Sequence, residues 1–260
     1  NNAFTSHEFT GYYAKSHPKH IKKIIDVVSD LYLSPTFPEK ELEKEKGVII
    51  EEINMYEDLP QRKVYEVFAE LLYKDQPSGR TIGGTPDIIR AAKRDTFISY
   101  RKKHYLAHAT TVVVTGNFNP TEVRKQIQKE FADIATGKKA SKPKTIDSQS
   151  KPAIAIKQKQ TDQTHLMLGV RTFKLSDKRS PTLQVLSAVL GHGMSSRLFQ
   201  KLREEMGVGY YVRSGVDDFT DHGYLAVNTG VDKTRVAEVV QAILGEFTRL
   251  KTELVEDGEL

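Results

Sequence analysis

Cysteine and tryptophan are absent from these 260 residues. Without cysteine there is no disulfide framework, and any metal must be held by His, Asp or Glu. The absence does not place the protein, since cytoplasmic and periplasmic chains can both do without thiols. Long apolar runs are missing too: nothing approaches the eighteen or so consecutive apolar residues of a membrane span. Charge of a single sign is also lacking. The net charge is +5, but acids and bases alternate, as in Lys40-Glu41-Leu42-Glu43-Lys44-Glu45-Lys46. That pattern reads as a solvated helix face and sets aside a nucleic-acid footprint. The opening residues show neither a basic n-region nor an apolar h-region. The final residues, Glu256-Asp257-Gly258-Glu259-Leu260, carry no terminating feature, and both ends are expected to be cut.

What is present is globular: 38% hydrophobic and 28% charged residues, in a length suited to one large or two medium domains. Residues 3–6 and 9–15 read as a β-hairpin around a His7-Glu8 turn. Pro18 sits at a helix start, and Ile21, Ile24, Ile25, Val28 and Leu31 mark its apolar face, up to Ser34-Pro35. Helices are expected from about 38 to 58 and from 61 to 73. Thr85-Pro86-Asp87 starts another, because Thr85 can cap and Pro86 has no N–H to leave unpaired in a first turn. A β-branched strand is expected at 110–114, and Asn119-Pro120-Thr121 opens a helix to Phe131.

Residues 137–152 are polar, nonperiodic and basic, the best linker in the chain. Domain boundaries follow: residues 1–136, a linker at 137–152, and residues 153–260. In the second part, strands are expected at 153–158 and 165–170, and helices at 181–190 and 195–206. A hairpin at 210–228 and a helix at 233–250 complete it. A repeat crosses the linker. Tyr12-Tyr13-Ala14 resembles Tyr224-Leu225-Ala226, and the face Ile21, Ile24, Ile25, Val28 resembles Val236, Val239, Val240, Ile243, offset by about 212 to 215 positions. A hairpin followed by a helix is a common unit, so chance similarity stays open.

On the helix near 38–58, a wheel centred on Ile49 puts Leu42, Ile53 and Tyr56 within roughly 40° of it, as a buried stripe. Glu45 and Glu52 fall together at its edge, about 40–60° to one side, while Glu51 points almost the opposite way. Carboxylates beside an apolar stripe want a cation, which a metal, an Arg or a Lys could supply. Flanking glutamates that are simply solvated are the ordinary alternative.

NNAFTSHEFTGYYAK, ELEKEKGVIIEEI and SSRLFQKLREEMGVGYYV resemble the inverzincin family of pitrilysin, insulin-degrading enzyme and mitochondrial processing peptidase. They come in that family's order and approximate spacing, and residues 77–84 and 100–118 resemble it as well. The bacterial type of the processing-peptidase branch is nearest. The resemblance covers essentially the whole chain. It implies an α+β fold of two homologous halves, each a mostly antiparallel sheet packed by helices, with both halves incomplete here.

It further implies a zinc-dependent endopeptidase. Family members carry an H-x-x-E-H helix that supplies two His ligands and a Glu base. A later helix supplies the third ligand, which falls on Glu52, with its supporting acid on Glu45. The edge strand that pairs with extended substrate falls on Asn2 and Ala3. The substrate-holding Arg and Tyr, seven residues apart, fall on Arg203 and Tyr210. Without the resemblance, Arg203 reads as a helix-end residue and Tyr210 as a strand start. Zn2+, a peptide substrate and pairing with a second family subunit, identical or not, are implied with them.

The departure from the family is that H-x-x-E-H occurs nowhere in the chain. Its eight histidines are scattered; His104 and His108 have zinc-like spacing, but no glutamate lies between them. The motif is expected a few tens of residues before Asn1, so that zinc bound by two upstream His and an inward-facing Glu52 would activate water. This chain alone is expected neither to retain zinc nor to cleave peptides. The rival reading is a non-catalytic partner or scaffold subunit of the same fold.

Overall fold

The computed structural model describes residues 1–260. In chain order, strands β1 (Asn2–Thr5) and β2 (Thr10–Tyr13) precede helices α1 (Ile21–Leu33), α2 (Glu39–Glu57), α3 (Pro60–Tyr73), α4 (Pro86–Ala91), α5 (Arg94–His104) and α6 (Pro120–Glu130). Then come β3 (Thr164–Thr172), α7 (Ser180–Gly191), a π-helix (Phe199–Glu205), β4 (Tyr211–Asp218), β5 (Gly223–Val231) and α8 (Val236–Thr252). They form two compact units. One is Asn1–Asn54 with Thr81–Pro143; the other is Met55–Arg80 with Lys144–Leu260.

In the first unit, β1 and β2 pair antiparallel, Phe4 opposite Gly11 and Thr5 opposite Thr10. Pro18 opens a 3-10 turn ahead of α1, and the His17 ring accepts the Lys19 N–H. Tyrosines hold this unit together. Tyr12 and Tyr105 share a hydroxyl hydrogen bond of 3.0 Å, and the Tyr32 ring lies 5.0 Å from Tyr105 and 6.1 Å from Phe131. Burial pushes the Tyr105 hydroxyl far above the ordinary phenol range. Arg101, on α5, donates to the Tyr32 and Leu33 carbonyls, where α1 ends and a cation is favourable. The expected caps form: Thr85 accepts the Ile88 N–H, and Asn119 Oδ1 accepts from Thr121 and Glu122.

The second unit is built on an antiparallel sheet in the order β3-β5-β4. Its central strand, β5, is buried at all nine positions. Alternation divides the burial between two faces. Leu225, Val227 and Val231 join Leu190, Leu198, Leu202, Val239 and Ile243 in one cluster. Tyr224 and Ala226 pack with Phe68, Leu72 and Tyr73 of α3 on the other. Close approach is enforced by glycine: a Cβ at Gly191 of α7 would lie 2.7 Å from the Ser214 amide of β4.

Two expectations are corrected. Residues 110–114 and 153–158 form no strand. Val113 is 80% exposed and Ile154 86%, so no neighbouring strand completes a ladder there, and β-branched composition alone cannot make one. The polar linker differs from its reading as well. Its later part is tied down by side chains of the second unit. Gln76 exchanges two hydrogen bonds with the Ile146 backbone, Asp221 accepts the Thr145 N–H at 2.8 Å, and Arg171 pairs with Asp147 at 2.9 Å. The chain passes between units at Pro143 and Lys144, inside the run 137–152, whereas residues 55–80 belong to the later unit. The hydrophobic pattern of α3 gave no sign of that partnership.

Candidate functional site

Helix α2 places the two acids. Leu42, Ile49, Ile53 and Tyr56 are half-buried along one side, while Glu45 and Glu52 are exposed. No residue of α2 is buried. The inward placement expected of Glu52 is therefore corrected: both carboxylates stand outside the apolar stripe, at its solvent side. Seven residues of α-helix separate them by about 10 Å along the axis. A zinc–oxygen bond is about 2 Å, so one ion cannot take both as direct ligands. Glu57, one turn beyond Glu52, has a different employment. Hydrogen bonds from Lys157 and then Lys63 hold its carboxyl below the usual range.

His104 ends α5 with its ring 4.4 Å from that of Tyr100, and His108 lies in the 3-10 turn that follows. No group of three or more His, Cys, Asp or Glu residues in the chain is arranged to hold a metal ion. The donor set present does not make a zinc centre by itself.

Strand β1 is exposed along its whole length. Ser6 N–H donates to Phe9 O at 2.8 Å, so the bonded pairs recur at Phe4–Gly11 and Asn2–Tyr13. Ala3 and Thr5 then turn their N–H and C=O groups away from β2, toward the free edge. There the Ala3 N–H meets the side-chain oxygen of its neighbour Asn2 at 2.8 Å. An extended peptide could pair with this edge by main-chain hydrogen bonds.

In the second unit, Arg203 is exposed near the end of the π-helix, and Tyr210 is 64% exposed just before β4. The structure brings these two together: Arg203 Nη1 donates to Tyr210 O at 3.0 Å and to Gly209 O at 3.2 Å. Sequence reasoning missed Gly209 as a partner and expected an ordinary helix at 195–206. The Gly207-Val208-Gly209 run was the available signal, since glycines after a helix mark a tight reversal. At the start of β4, Tyr211 Oη lies 2.9 Å from His165 Nδ1. Burial lowers the His165 pKa and pushes the Tyr211 phenol up to about 12.

Comparison with known proteins fits this arrangement. Residues 1–86 match the family pattern described as Insulinase (Peptidase family M16), and residues 91–260 that of the Peptidase M16 inactive domain. An uncharacterized zinc protease of Bacillus subtilis is 33% identical over 259 residues, all of this chain and 63% of its own length. The chain thus spans less than two thirds of that relative. A protease structure from Helicobacter pylori matches 99% of this chain and 64% of its own, with a TM-score of 0.89 and 22% identity. A chain of Complex III2 from Candida albicans matches 99% of this chain and 64% of its own, with a TM-score of 0.82 and 17% identity. Both share the mixed fold of helices and antiparallel sheet. The sequence matches establish membership: the chain belongs to peptidase family M16.

Proposed function

We propose that these residues are the acid-donating and substrate-holding part of a zinc-dependent endopeptidase that cleaves peptides or unfolded segments. Glu52 would supply one zinc ligand, and Glu45 would orient a ligand or water from one step further out. The β1 edge at Asn2 and Ala3 would take up substrate as an added strand. Arg203 and Tyr210 would donate hydrogen bonds to substrate carbonyls, which holds a peptide without reading its side chains. When bound, zinc supplies an activated water and a polarised carbonyl.

Family membership supports the reading: the relatives of this chain include proteins named zinc proteases. The solvent-facing Glu52 adds no support of its own, and it becomes a ligand only by meeting groups not supplied by this chain. One carboxylate is not a zinc site, so the 260 residues alone are expected neither to retain zinc nor to cleave peptides. The subunit would pair with another of the same family, identical or different.

Glu52→Gln in the complete protein is expected to abolish zinc retention, read by metal analysis after dialysis. Unchanged zinc content would remove Glu52 from the site. Glu45→Gln is expected to weaken zinc about ten- to hundredfold, the usual effect of losing a group that orients a ligand. A second reading is a non-catalytic partner or scaffold subunit of the same fold, against which the retention of Glu45 and Glu52 speaks. It predicts no zinc in the complete protein before any substitution.

A further inference from the structure

At the turn between β1 and β2 the ordinary order of burial is inverted. Among residues 1–10 only Ser6 and Glu8 are not exposed, whereas Phe9 beside them is 63% exposed. A carboxylate is costly to cover unless a cation meets it. Here the cation comes from the last residues of the same unit. Lys142 Nζ donates to Glu8 Oε1 at 2.5 Å, with 34% of the lysine side chain and 16% of the glutamate side chain exposed.

The hairpin has little else to hold it. Two strands alone are marginally stable, and no residue of β1 or β2 is buried. Ser6 shapes the turn, since its N–H donates to Phe9 O and its hydroxyl accepts the Phe9 N–H at 3.2 Å. Those contacts are internal and fix the turn's form, not its place. Tyr12 anchors the other end of the hairpin through Tyr105. The Glu8–Lys142 pair is the corresponding anchor at the turn. Lys142 is itself restrained, because Pro143 has a fixed φ and confines the residue before it to extended backbone. Two residues past the proline, the Thr145 N–H donates to Asp221, and the Thr145 hydroxyl lies 3.0 Å from that of Ser78.

We infer that Glu8 and Lys142 are positioning residues for the β1 edge: the linker lysine pins the hairpin turn, so that Ala3 and Thr5 hold their outward N–H and C=O groups in line before an extended peptide arrives. This rests on the reading that the edge takes up a peptide as an added strand, and it adds the linker to the binding apparatus. Ordering a strand beforehand reduces the entropy lost on pairing, and affinity rises accordingly. Neither side chain touches the peptide.

The test uses the full chain, amide hydrogen exchange, and a short, end-blocked, fluorescein-labelled peptide of alternating threonine and serine. In Lys142→Gln, exchange at the paired Phe4, Ser6, Gly11 and Tyr13 amides is expected to quicken about tenfold, as loss of a hydrogen bond to a charged group does. Peptide affinity should fall by a similar factor, while the β5 amides and the denaturant midpoint stay unchanged. Glu8→Gln should do the same, and the double variant no more than either alone. Lys142→Arg keeps the cation and should restore both readings. Lys144→Gln makes the same charge change outside the pair and should alter neither. Unchanged hairpin exchange in both Gln variants overturns the inference. Faster exchange with unaltered affinity overturns it as well, since the pair then serves the fold alone. A parent chain that binds no peptide overturns the strand-addition reading, and the exchange pattern then decides the pinning of the turn by itself.

Discussion

Two stretches of this chain share a plan, and they are buried very differently. Strand β2 leads through a 3-10 turn into α1, and β5 leads through another into α8. His17 caps the first turn by accepting the Lys19 N–H, and Asp232 caps the second by accepting the Thr234 N–H. Yet no residue of β1 or β2 is buried, while β5 is buried throughout. The helices differ in phase as well. Ile25 and Ser29 are the buried residues of α1, and Val239, Ile243 and Glu246 those of α8. Those positions stand one residue out of step with the two caps. A shared local plan thus fixes how a helix starts, but the layers packed around it decide which face is covered.

The comparison can be pressed hardest in the helices. Ile243→Ala should cost about 4 kcal/mol by denaturant titration, because that side chain is fully buried in the sheet's main cluster. Ile25→Ala should cost less, about 2 kcal/mol. Equal losses would mean that α1 is packed as tightly as α8.

Glycine gives the next test. A Cβ at Gly169 of β3 would lie 2.7 Å from the Leu225 carbonyl, so Gly169→Ala should destabilise by about 1–3 kcal/mol. A Cβ at Gly11 would instead meet the Phe4 ring at 2.5 Å, and Phe4 is exposed and can swing aside. Gly11→Ala should stay within about 0.5 kcal/mol.

The smallest effect is one of pH. His165 on β3 is half-buried, and burial lowers its pKa. The unfolded chain binds that proton at the ordinary value of 6.5, where the folded chain resists it. His165 therefore adds no penalty above that pH, and stability declines as pH falls from there through the folded value. Unfolding midpoints measured across the range should show His165→Asn with a flatter acid slope than the parent. Identical slopes would remove His165 from the account.

Much of the helical architecture was legible in the residues. Proline and Thr85 or Asn119 at helix starts act locally, and the structure keeps each of those caps. The segments 110–114 and 153–158 were misread because a strand exists only with a partner, and β-branched composition cannot name one. The π-helix was illegible because a change from four- to five-residue bonding leaves the apolar spacing of Leu198 and Leu202 unaltered. For the site, the wheel placed Glu45 and Glu52 together on the flank of α2. It could not say which way that flank faced, and the flank faces solvent. The Arg203–Tyr210 pairing was foreseeable from the family resemblance, but its backbone anchor on Gly209 was not.

Zinc stoichiometry of the purified 260-residue chain, after equilibration with zinc and extensive dialysis, tests the central claim most directly. No retained metal and no peptide cleavage are predicted. One tightly held zinc per chain, with peptidase activity that a chelator abolishes, would contradict the account.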